Sequence, residues 1–212
     1  MGIEKFVKKA IEEFCIEYVM KPYLCYTEHG HHARFYLTLY NMLPQSERYF
    51  VYNGEEVCVI QKEYPTAHNL DKSRRQNWDI AVLKRPVSSG EKGEPGYDYL
   101  PLNSVVEFGL NAGKEHLVED IRRLCHKNSN VTHKFIVHLY RISTSGNLIS
   151  GRDWSEKSKR ILSLDEITDL VTGYACDRLL VYVGIHDKTF PNKNGVWAIS
   201  KSGRQQVFPK KI

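Results

Sequence analysis

"SVVEFGLNAG", residues 104–113, sets one carboxylate, Glu107, inside an apolar run, with Val105 and Val106 before it and Phe108 and Leu110 after it. The pattern predicts a strand over about 103–110, buried along most of its length. A bare charge is costly to bury unless it is paired or binds a metal. Strand side chains alternate faces, so Glu107 shares its face with Val105 and Gly109. The fold turns on what stands opposite that face.

Upstream, "NWDIAVLK" (77–84) reads as a second strand, with Asp79 on the face of Ala81 and Leu83. "EEVCVIQKEY" (55–64) follows the turn signal Asn53-Gly54 and reads as a third, with Gln61 and Glu63 on one face and Lys62 on the other. If the three strands are neighbours, Glu63, Asp79 and Glu107 converge. Clustered carboxylates repel unless a cation lies among them, and an oxygen-rich set suits Mg²⁺ or Mn²⁺. Helical spacing predicts helices over 3–20 and 28–43, the second N-capped by Thr27, stopped by Pro44 and carrying Glu28 in its first turn. Downstream, Asn111 reads as the N-cap of a helix over 112–126 through Leu117, Ile121 and Leu124. A strand over 133–142, a helix over 164–173 opened by the Ser163/Glu166 capping box, and strands over 178–185 and 195–200 follow, the last as an edge. The Pro/Gly/Ser-rich stretch 85–101 reads as a mobile loop. The expected fold is α/β, a mixed β-sheet flanked by helices in a single domain over 1–212.

"RRQNWDIAVL" and "SVVEFGLNAGKEHLVEDIRRL", in the element order α-β-β-β-α-β over about 28–140, resemble the PD-(D/E)XK nuclease superfamily. The resemblance implies a restriction-endonuclease-like core, with an N-terminal helix and a C-terminal α/β extension around it. It implies a metal-dependent hydrolase of phosphodiester bonds, an endonuclease acting on DNA, with Mg²⁺ or Mn²⁺ as cofactor. By position, Asp79 is similar to the family's strand Asp, Glu107 to the Glu of its last motif, and Glu28 to its helical Glu. Glu63 has no fixed equivalent and would join the metal shell. Where the family has lysine two residues after the Glu, this chain has Gly109. Lys114, early in the next helix, is the substitute expected beside Asp79 and Glu107 in catalysis. Without that lysine, the alternative is a nuclease fold that has lost cleavage and binds nucleic acid or protein.

Each acid also has a plainer reading. Glu107 could face water at a strand edge, Asp79 could pair with Arg74 or Arg75, Glu63 could mark a strand end, and Glu28 could answer the helix dipole. "HGHH" (29–32) reads as a solvated helix start, and His126, His133 and His138 carry no assigned chemistry. Net charge is +5, and Lys72, Arg74 and Arg75 lead directly into Asp79 as expected phosphate contacts. Basic residues recur at 151–160 and in the C-terminal tail, where they read as solvated. No apolar run is long enough to span a membrane, and the charged N-terminus argues against export. Five cysteines without a CxxC pair fit a reduced, cytoplasmic protein without a disulfide framework. A homodimer is compatible with this reading. No GxxxxGK[ST], GxGxxG or GxSxG motif occurs.

Overall fold

The structure is a computed structural model describing residues 2–66, 70, 76–85, 100–142 and 162–209. Its helices are α1 (Ile3–Met20), α2 (Glu28–Met42), α3 (Gln45–Arg48), α4 (Lys114–Cys125) and α5 (Leu164–Tyr174). Its strands are β1 (Tyr49–Tyr52), β2 (Glu55–Cys58), β3 (Ile60–Pro65), β4 (Asn77–Leu83), β5 (Leu102–Leu110), β6 (Val131–Ile142), β7 (Leu179–Asp187), β8 (Gly195–Ser200) and β9 (Gly203–Phe208). β1 and β2 form a separate hairpin, and the other seven strands make one mixed sheet in chain order from β3 to β9. β5, β6 and β7 run parallel, and the pairs on either side of them are antiparallel. The α/β class and the neighbourhood of the three acid-bearing strands are thus as the sequence predicts.

Parallel strands are covered on both faces, which is why β5 and β6 read as near-continuous apolar runs. Phe108 turns one way, into the rings of Phe14 on α1 and of His32 and Phe35 on α2. Glu107 turns the other way, toward α4, whose Leu117, Ile121 and Leu124 are buried. α4 and α5 are joined by a Cys125–Cys176 disulfide. That pairing overturns the expectation of unbridged cysteines: the two thiols are remote in sequence and meet only because their helices pack side by side.

Several boundaries move for physical reasons. The expected strand over 55–64 is broken at Val59, whose N–H bonds Arg48 and whose carbonyl accepts from Leu83, so β2 pairs with β1 and β3 with β4. Glu63 sits at φ +53, outside the regular strand region, and its side chain lies 3.5 Å from Lys62 rather than across the sheet from it. Asn111 is not the N-cap of α4. It adopts φ +52, and its side-chain oxygen accepts the Arg141 N–H, tying the end of β5 to β6, while Gly113 precedes the helix. β8 is not an edge, because β9 pairs outside it. Thr27 does cap α2, accepting from the Gly30 N–H at 3.0 Å. Most of the stretch 85–101, together with Lys72, Arg74, Arg75 and 151–160, lies outside the described residues.

Candidate metal centre

β4 pairs with β5 as far as Ile80 opposite Val106. Beyond that point β5 has amides on the β4 side with no strand to meet them, and two carboxylates take their place. Asp79 Oδ2 accepts from the Phe108 N–H at 2.8 Å, and Glu28 Oε2 accepts from the Leu110 N–H at 2.9 Å. Amides two residues apart on one strand edge are roughly 7 Å apart. The sheet therefore sets Asp79 and Glu28 side by side by satisfying its own backbone.

Glu107 is 1% exposed and points toward α4. Its Oε2 lies 2.5 Å from Arg123 Nη2, and its carboxyl is close enough to that of Asp79 for the two charges to interact. Arg123 is held by Asp120 at 3.6 Å and lies over the Trp78 ring. The partner demanded by the buried charge is thus an arginine two and a half turns into α4. Lys114, at the first residue of that helix, is exposed. Burial pushes the Glu107 carboxyl well above its usual range and Asp79 raises it further, outweighing the opposing pull of Arg123. Asp79 is also raised, chiefly by burial, against the pull of His32 and the Phe108 amide. The two acids therefore hold a proton between them more readily than isolated carboxyls do, and a divalent cation would displace it. Glu107 Oε1 is buried with no hydrogen-bond partner among the described residues, so the pair fits an additional cation.

The site is richer in histidine than the sequence suggests. His31 and His32 are not a solvated helix start: they are 4% and 1% exposed. His31 packs edge-on against Phe14 and Tyr18 and is pushed down to about 4, first by burial and then by Arg141. His32 Nε2 lies 3.8 Å from Asp79 Oδ2, and burial lowers its pKa against the pull of Asp79 and Glu28. Ligand atoms of His29, His32 and Glu63 lie within 4.8 Å of one another. This brings Glu63 to the edge of the acid cluster through α2 and not through strand alternation.

On the α4 side, Gly109 pairs with His138 of β6. A Cβ on Gly109 would lie 2.6 Å from His138 Nε2, so the imidazole fills the space into which a residue-109 side chain would grow. His116 Nε2 is 3.2 Å from Asp120 Oδ2, and that ion-pair contact raises His116 to about 9, helped by Glu28. Burial pushes the Asp120 carboxyl up, but the adjacent His116 and His138 imidazoles prevail and hold it below the usual range. His116, Asp120 and Arg123 were legible as polar residues at helical spacing beside the apolar face of "KEHLVEDIRRL", and His138 as one imidazole inside an apolar strand. Their convergence needed the parallel β5–β6 register. Compared with protein-family models, curated proteins and solved structures, the chain matches none.

Proposed function

We propose that this chain is a PD-(D/E)XK-type, divalent-metal-dependent nuclease that hydrolyses phosphodiester bonds in DNA, with Asp79 and Glu107 holding Mg²⁺ or Mn²⁺. The observation that carries the reading is the partnerless, buried Glu107 Oε1 beside the Asp79 carboxyl where the β4–β5 ladder ends. A divalent ion bound there would neutralise phosphate charge and activate water for in-line attack. The protein's own groups do the rest. The Phe108 amide fixes Asp79, the Leu110 amide fixes Glu28, and Glu63 flanks them. His116, a cation at neutral pH beside Glu28, supplies positive charge on the side where the family's lysine is missing, with Lys114 further out on the same helix. Lys72, Arg74 and Arg75, entering β4 just ahead of Asp79, contribute phosphate contacts. A cytoplasmic site of action and assembly as a homodimer belong to this reading.

Mg²⁺- and Mn²⁺-dependent cleavage of plasmid and single-stranded substrates tests the proposal, with calorimetric metal titrations alongside. Asp79→Asn or Glu107→Gln should weaken the metal and cut cleavage by at least about 100-fold, the scale of losing one stabilising group. A second reading rests on Arg123 already compensating Glu107 and on His138 filling the space beside Gly109. It is a nuclease fold that binds DNA without cutting it. Salt-sensitive DNA binding by wild type with no cleavage in either metal would establish that second reading.

A further inference from the structure

Outside the carboxylate pair, three ligand atoms converge from two elements. His116 Nε2 and His138 Nε2 lie 3.2 and 3.5 Å from one oxygen, Asp120 Oδ2, and the three lie within 4.8 Å of one another. We propose that His116, Asp120 and His138 form a site for one divalent transition-metal ion of the zinc class, separate from the carboxylate pair; when bound, the ion displaces the His116 proton and itself supplies the positive charge beside Glu28.

The spacing fits the ion. A tetrahedral centre with ligand bonds of about 2.0–2.1 Å has ligand-to-ligand edges of roughly 3.3 Å, a length that lies between the two contacts to Asp120. A hydrogen-bonded triad is the competing account. It has both imidazoles converge on one oxygen, and the contact between Asp120 Oδ2 and His138 Nε2, both buried and 3.5 Å apart, lacks hydrogen-bond geometry. Leaving buried polar atoms in such poor geometry is costly, and an ion between them removes the cost.

The surroundings prepare His138 as a ligand. Its Nδ1 lies 3.3 Å from the Tyr140 hydroxyl in the core. A proton on Nδ1 donated to that hydroxyl leaves the Nε2 lone pair free, the arrangement that orients metal-bound histidines elsewhere. Gly109 leaves the ring its room: any Cβ there would meet Nε2 at 2.6 Å. On the helix, His116 and Asp120 are one turn apart, as two ligands of a helical metal site must be. His116 Nε2 would give up its contact to the Phe108 carbonyl, 3.2 Å away, on binding.

Two imidazoles select the kind of ion. Nitrogen ligands favour Zn²⁺ and its neighbours over Mg²⁺, which prefers oxygen. Three protein ligands leave a fourth position for water or a ligand, as in sites that do more than hold the fold. Arg123, 3.6 Å from the other Asp120 oxygen, opposes the cation, and Glu107 beside Arg123 offsets it.

The experiment uses full-length protein stripped with chelator, titrated with Zn²⁺ against a chromophoric competitor and with Co²⁺ read by visible absorption. Wild type should bind one Zn²⁺ tightly, and its Co²⁺ form should show the intense bands of four-coordinate nitrogen–oxygen ligation. Because His138 is in the core and its variants risk misfolding, His116→Gln, with a side chain 43% exposed, is the decisive variant. It should keep the wild-type circular dichroism and lose more zinc affinity than the roughly 10–100-fold given by loss of an outer-shell partner. His29→Gln and Asp79→Asn should bind Zn²⁺ as wild type does. Absence of zinc binding by wild type, or His116→Gln binding as tightly as wild type, would overturn the site. Loss in Asp79→Asn with His116→Gln intact would also overturn it, by moving the ion to the carboxylates.

Discussion

Glu107 can be buried because Arg123 Nη2 stands 2.5 Å from its Oε2, on a helix face where the guanidinium also meets Asp120 and the Trp78 ring. Removing one partner of such a pair leaves a charge stranded in the core. Arg123→Ala should therefore lower stability in urea by about 3–5 kcal/mol at neutral pH. The loss should shrink as pH falls, because burial raises the Glu107 carboxyl and lets it take a proton instead of standing unpaired. Adding Glu107→Gln should recover much of it, and strictly additive losses in the double variant would refute the coupling. His116 gives a second measurement with the opposite slope. Its folded value of about 9 lies above the ordinary 6.5, so its partnership with Asp120 contributes stability present in full below pH 6.5. That contribution is lost as pH rises through about 9. In metal-free protein, the stability of wild type relative to His116→Gln should fall between those limits, and a pH-independent difference would show that the ion pair contributes nothing. The residue scale is also where the sequence was most legible. Glu107 announced a buried partner by sitting among Val105, Val106 and Phe108, but the partner's identity lay sixteen residues downstream, where only the packing of α4 could bring it back.

Among elements, strand periodicity located β4, β5, β6 and β7, and the capping residues Thr27 and Ser163 located α2 and α5. Periodicity failed where local chemistry overrode it. The left-handed residues Glu63 and Asn111 ended regular structure where alternation and capping rules would have continued it. β9 was missed because "GRQQVF" is too polar for a core strand, which an edge strand need not be. No rule for a single element could join Cys125 at the end of α4 to Cys176 just past α5. That bond spans 51 residues of sequence. On loop-closure entropy alone, Cys176→Ser should cost about 4 kcal/mol, read as a lowered denaturation midpoint in non-reducing buffer. Thiol titration of denatured, unreduced protein supplies the check: three reactive thiols, Cys15, Cys25 and Cys58, are expected. Five would mean that the bridge does not form.

Across the whole molecule, the sheet's change of direction fixes where the acids and histidines gather. β5 is antiparallel to β4 and parallel to β6, so β4 can leave it early while β6 follows it to its end. The amides vacated by β4 gather Asp79 and Glu28, and the β6 register delivers His138 beside Gly109. The result is an acidic, histidine-lined centre in a chain of net charge +5. A phosphodiester would be repelled by the bare carboxylates, so the positive charge that attracts it must lie around them and not among them. In sequence, Lys72, Arg74 and Arg75 precede Asp79 by seven, five and four residues, and the proposed function gives them the phosphate contacts. Arg74→Ala with Arg75→Ala should weaken DNA binding alike for unrelated sequences. It should flatten the plot of log affinity against log salt by roughly one unit per arginine, because each phosphate contact releases a condensed counterion. Affinity for the Mg²⁺ or Mn²⁺ proposed at Asp79 and Glu107 should not change in that variant. Filter binding or fluorescence anisotropy over a salt series measures the slope, and calorimetry the metal. An unaltered slope with normal metal binding would remove "KSRR" from the interface and leave the carboxylate centre to find its polyanion by another face.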